Sequence, residues 1–213
     1  MSGRRLSVVK VGGSLLADGT RLRAVLADLA TGADGPCIVV PGGGPFADAA
    51  RTAQAALGLD DAFAHRLALD AMGRMAELFC ALEPRLARCA DRAALADLAQ
   101  DGGVPVWDPA ALKAGHPAIP ESWDVTSDSL ALWLATEIGA ARCILVKSAP
   151  AACAEDRHGQ DRHGQDRHGQ DWRALAARGL VDAAFPAFAA AYAGEILVRG
   201  PRETGASLGR NAA

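Results

Sequence analysis

Three apolar runs in this chain end in the same kind of punctuation. Val8–Val11 breaks into Gly12-Gly13, Ile38–Pro41 breaks into Gly42-Gly43-Gly44, and Ile144–Val146 breaks into Lys147-Ser148. Runs this short, β-branched and bounded by turn residues fit strands buried on both faces. Together with their neighbours they predict strands at Leu6–Val11, Cys37–Pro41, Val104–Trp107, Cys143–Lys147 and Glu195–Val198. Longer helical patterns alternate with them, at Arg21–Ala30, Pro45–Leu57, Asp61–Leu82, Pro84–Gln100 and Ser127–Ile138, with a weaker one at Trp172–Ala190. Strand–helix alternation of this kind implies a mostly parallel sheet flanked by helices, an α/β fold. A length of 213 residues fits one domain, 1–213, on a prior of roughly 100–200 residues per domain. In the stretch Asp61–Leu82, Phe63, Leu67, Met72, Met75 and Phe79 recur at near-helical spacing, an apolar stripe for the core or for a subunit interface. Self-association into a homo-oligomer is therefore expected.

Charge narrows the function classes. A formal net charge of −3 leaves no electrostatic footprint for nucleic acid or an anionic membrane. No apolar run approaches the ~18 residues of a spanning helix, and the first ten residues hold no signal-peptide core, so a cytoplasmic location is expected. Five scattered cysteines without CxxC spacing predict neither a disulfide framework nor a zinc site. Arginine outnumbers lysine 19 to 3. Each surviving lysine (Lys10, Lys113, Lys147) thus marks a place where a compact point charge is preferred to a planar fork. One segment stands outside the pattern: Arg157–Asp171 is three copies of Arg-His-Gly-Gln-Asp. Too polar and glycine-rich to offset its ordering entropy, the stretch 155–171 is expected to be a surface loop. Metal binding by His158, His163 and His168 is the functional alternative, but the spacing does not prearrange the imidazoles.

Three motifs carry chemistry. In Val8-Val9-Lys10-Val11-Gly12-Gly13-Ser14 a strand delivers a lysine and a glycine pair, so that backbone N–H groups and a positive charge can approach a phosphate. It follows neither the Walker A nor the GxGxxG order, and a plain βα turn would also account for it. In Val40-Pro41-Gly42-Gly43-Gly44-Pro45 a second glycine-rich strand end opens a helix, whose free N–H groups and dipole favour an anion. In Thr126-Ser127-Asp128-Ser129, Asp128 falls in a first helical turn, where Ser127 and Asp128 could simply cap the helix. Lys147 at the end of the following strand favours another role: a carboxylate between Lys10 and Lys147 would hold both ammonium groups for a transferring phosphoryl group. Lys113, in a polar connection, reads as solvated.

In order and spacing these motifs, with the Ala/Leu-rich helix after Asp128 and the Gly139-Ala140 turn beyond it, resemble the amino acid kinase family. The resemblance covers about the first 150 residues well. Ile119–Ala131, with His65, Met72 and Val181–Pro186, is most similar to the branch that phosphorylates (5-(aminomethyl)furan-3-yl)methyl phosphate to its diphosphate in methylofuran and methanofuran biosynthesis. The resemblance implies a three-layer α/β/α sandwich and an ATP-dependent kinase using Mg²⁺. It implies that Lys10, Asp128 and Lys147 are catalytic, that Gly12, Gly13, Ser14 and Ser148 bind phosphate or nucleotide, and that Gly42, Gly43, Gly44, His65, Thr126 and Ser127 bind the small phosphate acceptor. A phosphate acceptor is already anionic and needs no strong general base. The chain departs from the family where Ser148–Cys153 replaces an Asp-Gly turn, and in its loosely similar end, Arg202–Leu208. Acetylglutamate, uridylate or isopentenyl phosphate kinase activity, or a non-catalytic nucleotide- or oxyanion-binding subunit for storage or regulation, are the competing readings.

Overall fold

The computed structural model describes residues 5–32, 35–148 and 170–201. Expectations for the pentapeptide repeat up to Gly169, for Ala149–Cys153 and for Arg202–Leu208 lie outside those residues. Six strands form one sheet: β1 (Ser7–Val11), β2 (Cys37–Pro41), β3 (Leu86–Cys89), β4 (Val104–Trp107), β5 (Arg142–Val146) and β6 (Glu195–Arg199), in the order β3-β4-β2-β1-β5-β6. Every pairing is parallel. The mostly parallel sheet read from the sequence is thus wholly parallel. Every residue of β1 and β2 is buried, which explains why those runs are nearly continuously apolar.

Helices α1 (Gly19–Ala30), α2 (Gly44–Leu57), α3 (Asp61–Leu82), α4 (Arg92–Gln100), α5 (Ser127–Glu137), α6 (Trp172–Ala177) and α7 (Phe185–Ala191) connect the strands and cover the sheet. Side chains alternate across a strand with a period of two. Val9, Val11, Ile144 and Val146 therefore face Leu22, Leu26 and Leu29 of α1 and Met75 and Phe79 of α3. Val8, Cys143 and Leu145 face the opposite core, with Leu130, Leu132 and Leu134 of α5 and Phe185 of α7. Of the α3 stripe, Met72, Met75 and Phe79 are buried in these two cores; Leu67 is half-buried, with Leu69 in the core in its place, and Phe63 departs from it, 43% exposed. No helix among the described residues is long and apolar enough to cross a membrane.

Two helical stretches read from the sequence are corrected. Pro84–Gln100 is not one helix: Leu86–Cys89 is the edge strand β3, pairing from Leu86 opposite Val104 to Cys89 opposite Trp107. Its Leu-Ala-Arg-Cys composition favours neither state, so a partner strand distant in sequence decides it. Asp91 then starts α4 by accepting a hydrogen bond from the Ala93 N–H at 2.9 Å. Trp172–Ala190 divides into α6 and α7. Gly179, at φ +70°, follows the end of α6, and Pro186 sits in the first turn of α7.

Candidate active site

The carboxyl ends of β1, β2 and β5 meet at one edge of the sheet, and strand alternation decides which side chains meet there. Lys10 shares a face with Val8, and Lys147 continues the face of Cys143 and Leu145, so both lysines turn toward the first turn of α5. Asp128 lies between them. Its Oδ1 is 2.9 Å from Lys10 Nζ, and its Oδ2 accepts a hydrogen bond from Lys147 Nζ at 2.6 Å. Lys10 and Asp128 are each 5% exposed. Burial pushes the Asp128 carboxyl up, but the two ammonium charges outweigh it and hold the group below the ordinary carboxylate value. Lys147 is drawn down, chiefly by burial and then by repulsion from Lys10, with Asp128 opposing.

The two glycine loops touch backbone to backbone. A Cβ on Gly13 would lie 2.3 Å from the Gly44 nitrogen, and one on Gly42 would lie 2.5 Å from the Gly13 nitrogen. These glycines exist for close approach. The Gly12 N–H, expected at a phosphate, instead donates to the Val146 carbonyl at 3.0 Å, and the Gly42 N–H donates to Val11 at 2.9 Å; each extends the sheet ladder past its strand. The open donors lie further on. Gly43 caps α2 without any side-chain hydrogen bond, and Pro45 occupies the first turn, so the positive end of α2 faces the cleft uncapped. Ser14 and Ser148 are joined, hydroxyl to hydroxyl, at 2.8 Å. Arg21, which no sequence motif singled out, donates to the Lys147 and Ser148 carbonyls at 2.6 and 3.1 Å and fixes the exit of β5.

A cleft of about 590 Å³ opens beside Lys10, between the glycine loops, α2, α3 and the segment before α5. On its far wall the Arg51 guanidinium lies 4.0 Å over the Trp123 ring, and Trp123 Nε1 donates to Gln54 Oε1 at 2.5 Å. Sequence reasoning missed Arg51 and Gln54; their spacing of three on α2 places them on one face, but only the fold brings Trp123 to it. His65 also lines the cleft. Burial pulls its pKa down, against the Ser122 carbonyl and Glu121, so the ring is neutral. Nδ1 lies 3.1 Å from the Ser122 carbonyl, which can only accept; Nδ1 therefore carries the proton and Nε2 is a hydrogen-bond acceptor. Lys113 is not merely solvated, since Asp70 accepts from it at 2.7 and 2.8 Å on the surface.

Ser127 and Asp128 do not cap α5; Asp182, from the connection before α7, caps it instead and also accepts from the Thr126 hydroxyl. Its Oδ2 accepts from the Thr126 N–H (2.9 Å), the Thr126 hydroxyl (2.8 Å) and the Ser129 N–H (3.0 Å), while its Oδ1 accepts from the Ser129 hydroxyl. Thr126 and Ser127 still line the cleft, as do Gly13, Ser14, Gly42, Gly43 and Gly44. Lys10, Asp128 and Lys147 are brought together as the sequence implied.

A family model described as the amino acid kinase family matches residues 5–162. The [5-(aminomethyl)furan-3-yl]methyl phosphate kinase of Methanocaldococcus jannaschii is 29% identical over 132 residues, a stretch covering 61% of this chain and 59% of that protein. Among solved structures, uridylate kinase from Archaeoglobus fulgidus superposes with a TM-score of 0.64 at 19% identity, over 92% of this chain and 90% of the other. Aspartate kinase from Synechocystis gives 0.65 at 17% identity over 92% of this chain, corresponding to 37% of that longer one. At these identities the two structures speak for the fold alone.

Proposed function

This chain belongs to the amino acid kinase family, and on that premise we propose that it is an ATP-dependent phosphotransferase acting on a small organic phosphomonoester. The acceptor we infer is [5-(aminomethyl)furan-3-yl]methyl phosphate, converted to its diphosphate. The observation that carries the reading is the buried Lys10–Asp128–Lys147 bridge, set at the strand ends beside the uncapped start of α2. An oxygen of the acceptor phosphate attacks the γ-phosphorus in line, the bond to the β-bridging oxygen breaks, and ADP leaves. Lys10 and Lys147, held by Asp128, neutralise the charge on the oxygens of the moving group, so catalysis is positioning and electrostatic stabilisation. The nucleophile is already anionic and needs no strong general base.

Gly13, Ser14 and Ser148 stand on the nucleotide side; Gly42, Gly43, Gly44 and the N-terminus of α2 stand on the acceptor-phosphate side. Trp123 supplies a flat wall for a ring, and neutral His65 offers Nε2 to an N–H or O–H donor such as an aminomethyl group. Magnesium belongs to this reading as part of the nucleotide substrate. No group of three His, Cys, Asp or Glu side chains gathers to hold a metal among the described residues, and Asp128 is engaged by both lysines. Mg²⁺ keeps several waters and binds readily through phosphates alone. The stripe of α3 packs within this chain, so the expectation of a homo-oligomer rests on exposed Phe46, Leu57 and Phe63.

The test is turnover of ATP and Mg²⁺ with a panel of the furan phosphate, UMP, isopentenyl phosphate and acetylglutamate, followed by ³¹P NMR. A new diphosphate doublet from the furan phosphate alone is expected, abolished by Lys10→Ala. Preferential turnover of UMP or isopentenyl phosphate, or an acyl phosphate trapped by hydroxylamine, would replace the acceptor. ATP turnover equal in Lys10→Ala and the parent would refute the kinase reading itself.

A further inference from the structure

The structure assigns to Asp182 the part of a positioning residue for phosphoryl transfer: its carboxylate fixes the first turn of α5 and thereby the place of Asp128 between the two lysines. This rests on the kinase reading for its consequence but not for its geometry. One carboxylate accepts four hydrogen bonds from two residues, Thr126 and Ser129, that flank Asp128 on either side. Between them they fix the backbone at the helix start and the turn from which the Asp128 side chain projects. Thr126, at the N-cap position, makes no side-chain cap of its own, so the anchoring falls to Asp182.

The connection that carries Asp182 is itself held rigid. Val181 and Phe185, on either side of it, are buried in the core shared with α5, and the Trp172 ring meets Phe185 edge-on at 5.1 Å. The Ala184 N–H donates to the Asp124 carbonyl at 2.9 Å, and the Phe185 N–H donates to the Asp182 carbonyl at 3.1 Å. A half-buried carboxylate anchored in this way costs desolvation, and burial and the Asp128 charge both push it toward its neutral form. Such a residue is expensive as a mere cap, for which an exposed Ser or Asp at the N-cap suffices. Its charge also acts on the reaction site, since it favours the charged form of Lys147. Two carboxylates and two ammonium groups thus form one cluster of compensating charge, with Lys10 and Asp128 buried and Lys147 and Asp182 half-buried at its edge. The two helix starts differ accordingly: α2 leaves its positive end open to the cleft, whereas α5 has its positive end filled by the protein's own anion, and so holds machinery in place of phosphate.

Only three lysines exist in the chain, so ¹⁵Nζ-lysine labelling gives three side-chain signals, and Lys113 serves as an internal control on the surface. The experiment compares Asp182→Asn, Asp182→Ala, Ser129→Ala and Asp182→Glu without any substrate, and then in steady-state kinetics. We expect the Lys10 and Lys147 signals to move in Asp182→Asn and Asp182→Ala, and to move less in Ser129→Ala, with Lys113 unchanged. In kinetics kcat should fall about 10- to 100-fold, as for a small displacement of a reacting group, with both KM values within about twofold and partial recovery in Asp182→Glu. If Asp182→Ala does not fold, Ser129→Ala, which loses one side-chain hydroxyl, reads the same displacement. Folded Asp182→Asn and Ser129→Ala variants with unmoved Lys10 and Lys147 signals would overturn the assignment. So would a loss of thermal stability with unchanged kcat. The lysine spectrum is read without ATP, so absence of turnover in the parent chain would fall on the kinase reading alone.

Discussion

Replacing Asp128 by Asn separates what the charged bridge does for folding from what it does for chemistry. The carboxylate is buried with ammonium groups at 2.9 and 2.6 Å. At an effective dielectric of about 20, each such pair attracts by about 6 kcal/mol, most of which offsets the desolvation of three charges. Asn keeps the shape and removes the charge. The two lysines, held roughly 5 Å apart by opposite edges of one carboxyl group, then repel by about 3 kcal/mol at the same dielectric. The loss has a ceiling, because one lysine can instead give up its proton, which costs about 5 kcal/mol at neutral pH starting from an ordinary lysine. Unfolding in urea at pH 7, followed by tryptophan fluorescence, should therefore show Asp128→Asn less stable by about 3–5 kcal/mol, with a melting point lower by roughly 10 °C. The deficit should shrink as the pH rises. A lysine whose folded pKa is depressed binds fewer protons folded than unfolded, so stability increases with pH through that range. Turnover should fall at least about 100-fold. The triple variant Lys10→Met, Asp128→Leu, Lys147→Met removes every charge at similar volume; it should regain the parent's stability or exceed it, and remain inactive. A triple variant as unstable as Asp128→Asn, or an Asp128→Asn protein within about 1 kcal/mol of the parent, would refute the reasoning.

Two further outcomes are expected. Gly13→Ala brings a methyl group within 2.3 Å of the Gly44 nitrogen, a backbone contact that no side chain can relieve; it should part the glycine loops, lowering stability by about 2 kcal/mol or more and abolishing turnover, whereas Gly19→Ala, with nothing within 4 Å, should leave both unchanged. His65 has a folded pKa below its ordinary value of 6.5. As the pH drops through 6.5 toward the folded value, the unfolded chain takes up a proton that the folded chain does not, and stability is lost. Urea midpoints from pH 8 to 5 should show this acid slope in the parent and a shallower one in His65→Asn, whose amide keeps the donor to Ser122; parallel curves would mean that His65 is not the group responsible.

The frame of this protein is legible in its residue pattern. Buried parallel strands demand near-continuous apolar runs, glycines at their ends mark close backbone approach, and lysine at a buried strand end implies a partner, so β1, β2, β5 and the Lys10–Asp128–Lys147 bridge were legible as patterns. Strand alternation even fixes that Lys10 and Lys147 share faces with Val8 and Leu145. Local pattern could not decide elements whose state depends on a distant partner. Leu86–Cys89 is a strand because β4 lies beside it, and Gly12 lost its expected donor because the ladder continues past its strand to Val146. Asp182 lies in Val181–Pro186, a segment marked by the family resemblance, but nothing local ties its carboxylate to α5; it caps a helix start 53 to 56 residues away. Arg51 and Trp123 became one wall, with Gln54 accepting from the Trp123 ring, only when α2 and the segment before α5 met across the cleft. Propensity and spacing act over a few residues, while the charge partners and walls of the site are chosen by packing across the whole sheet, and that choice only the tertiary structure records.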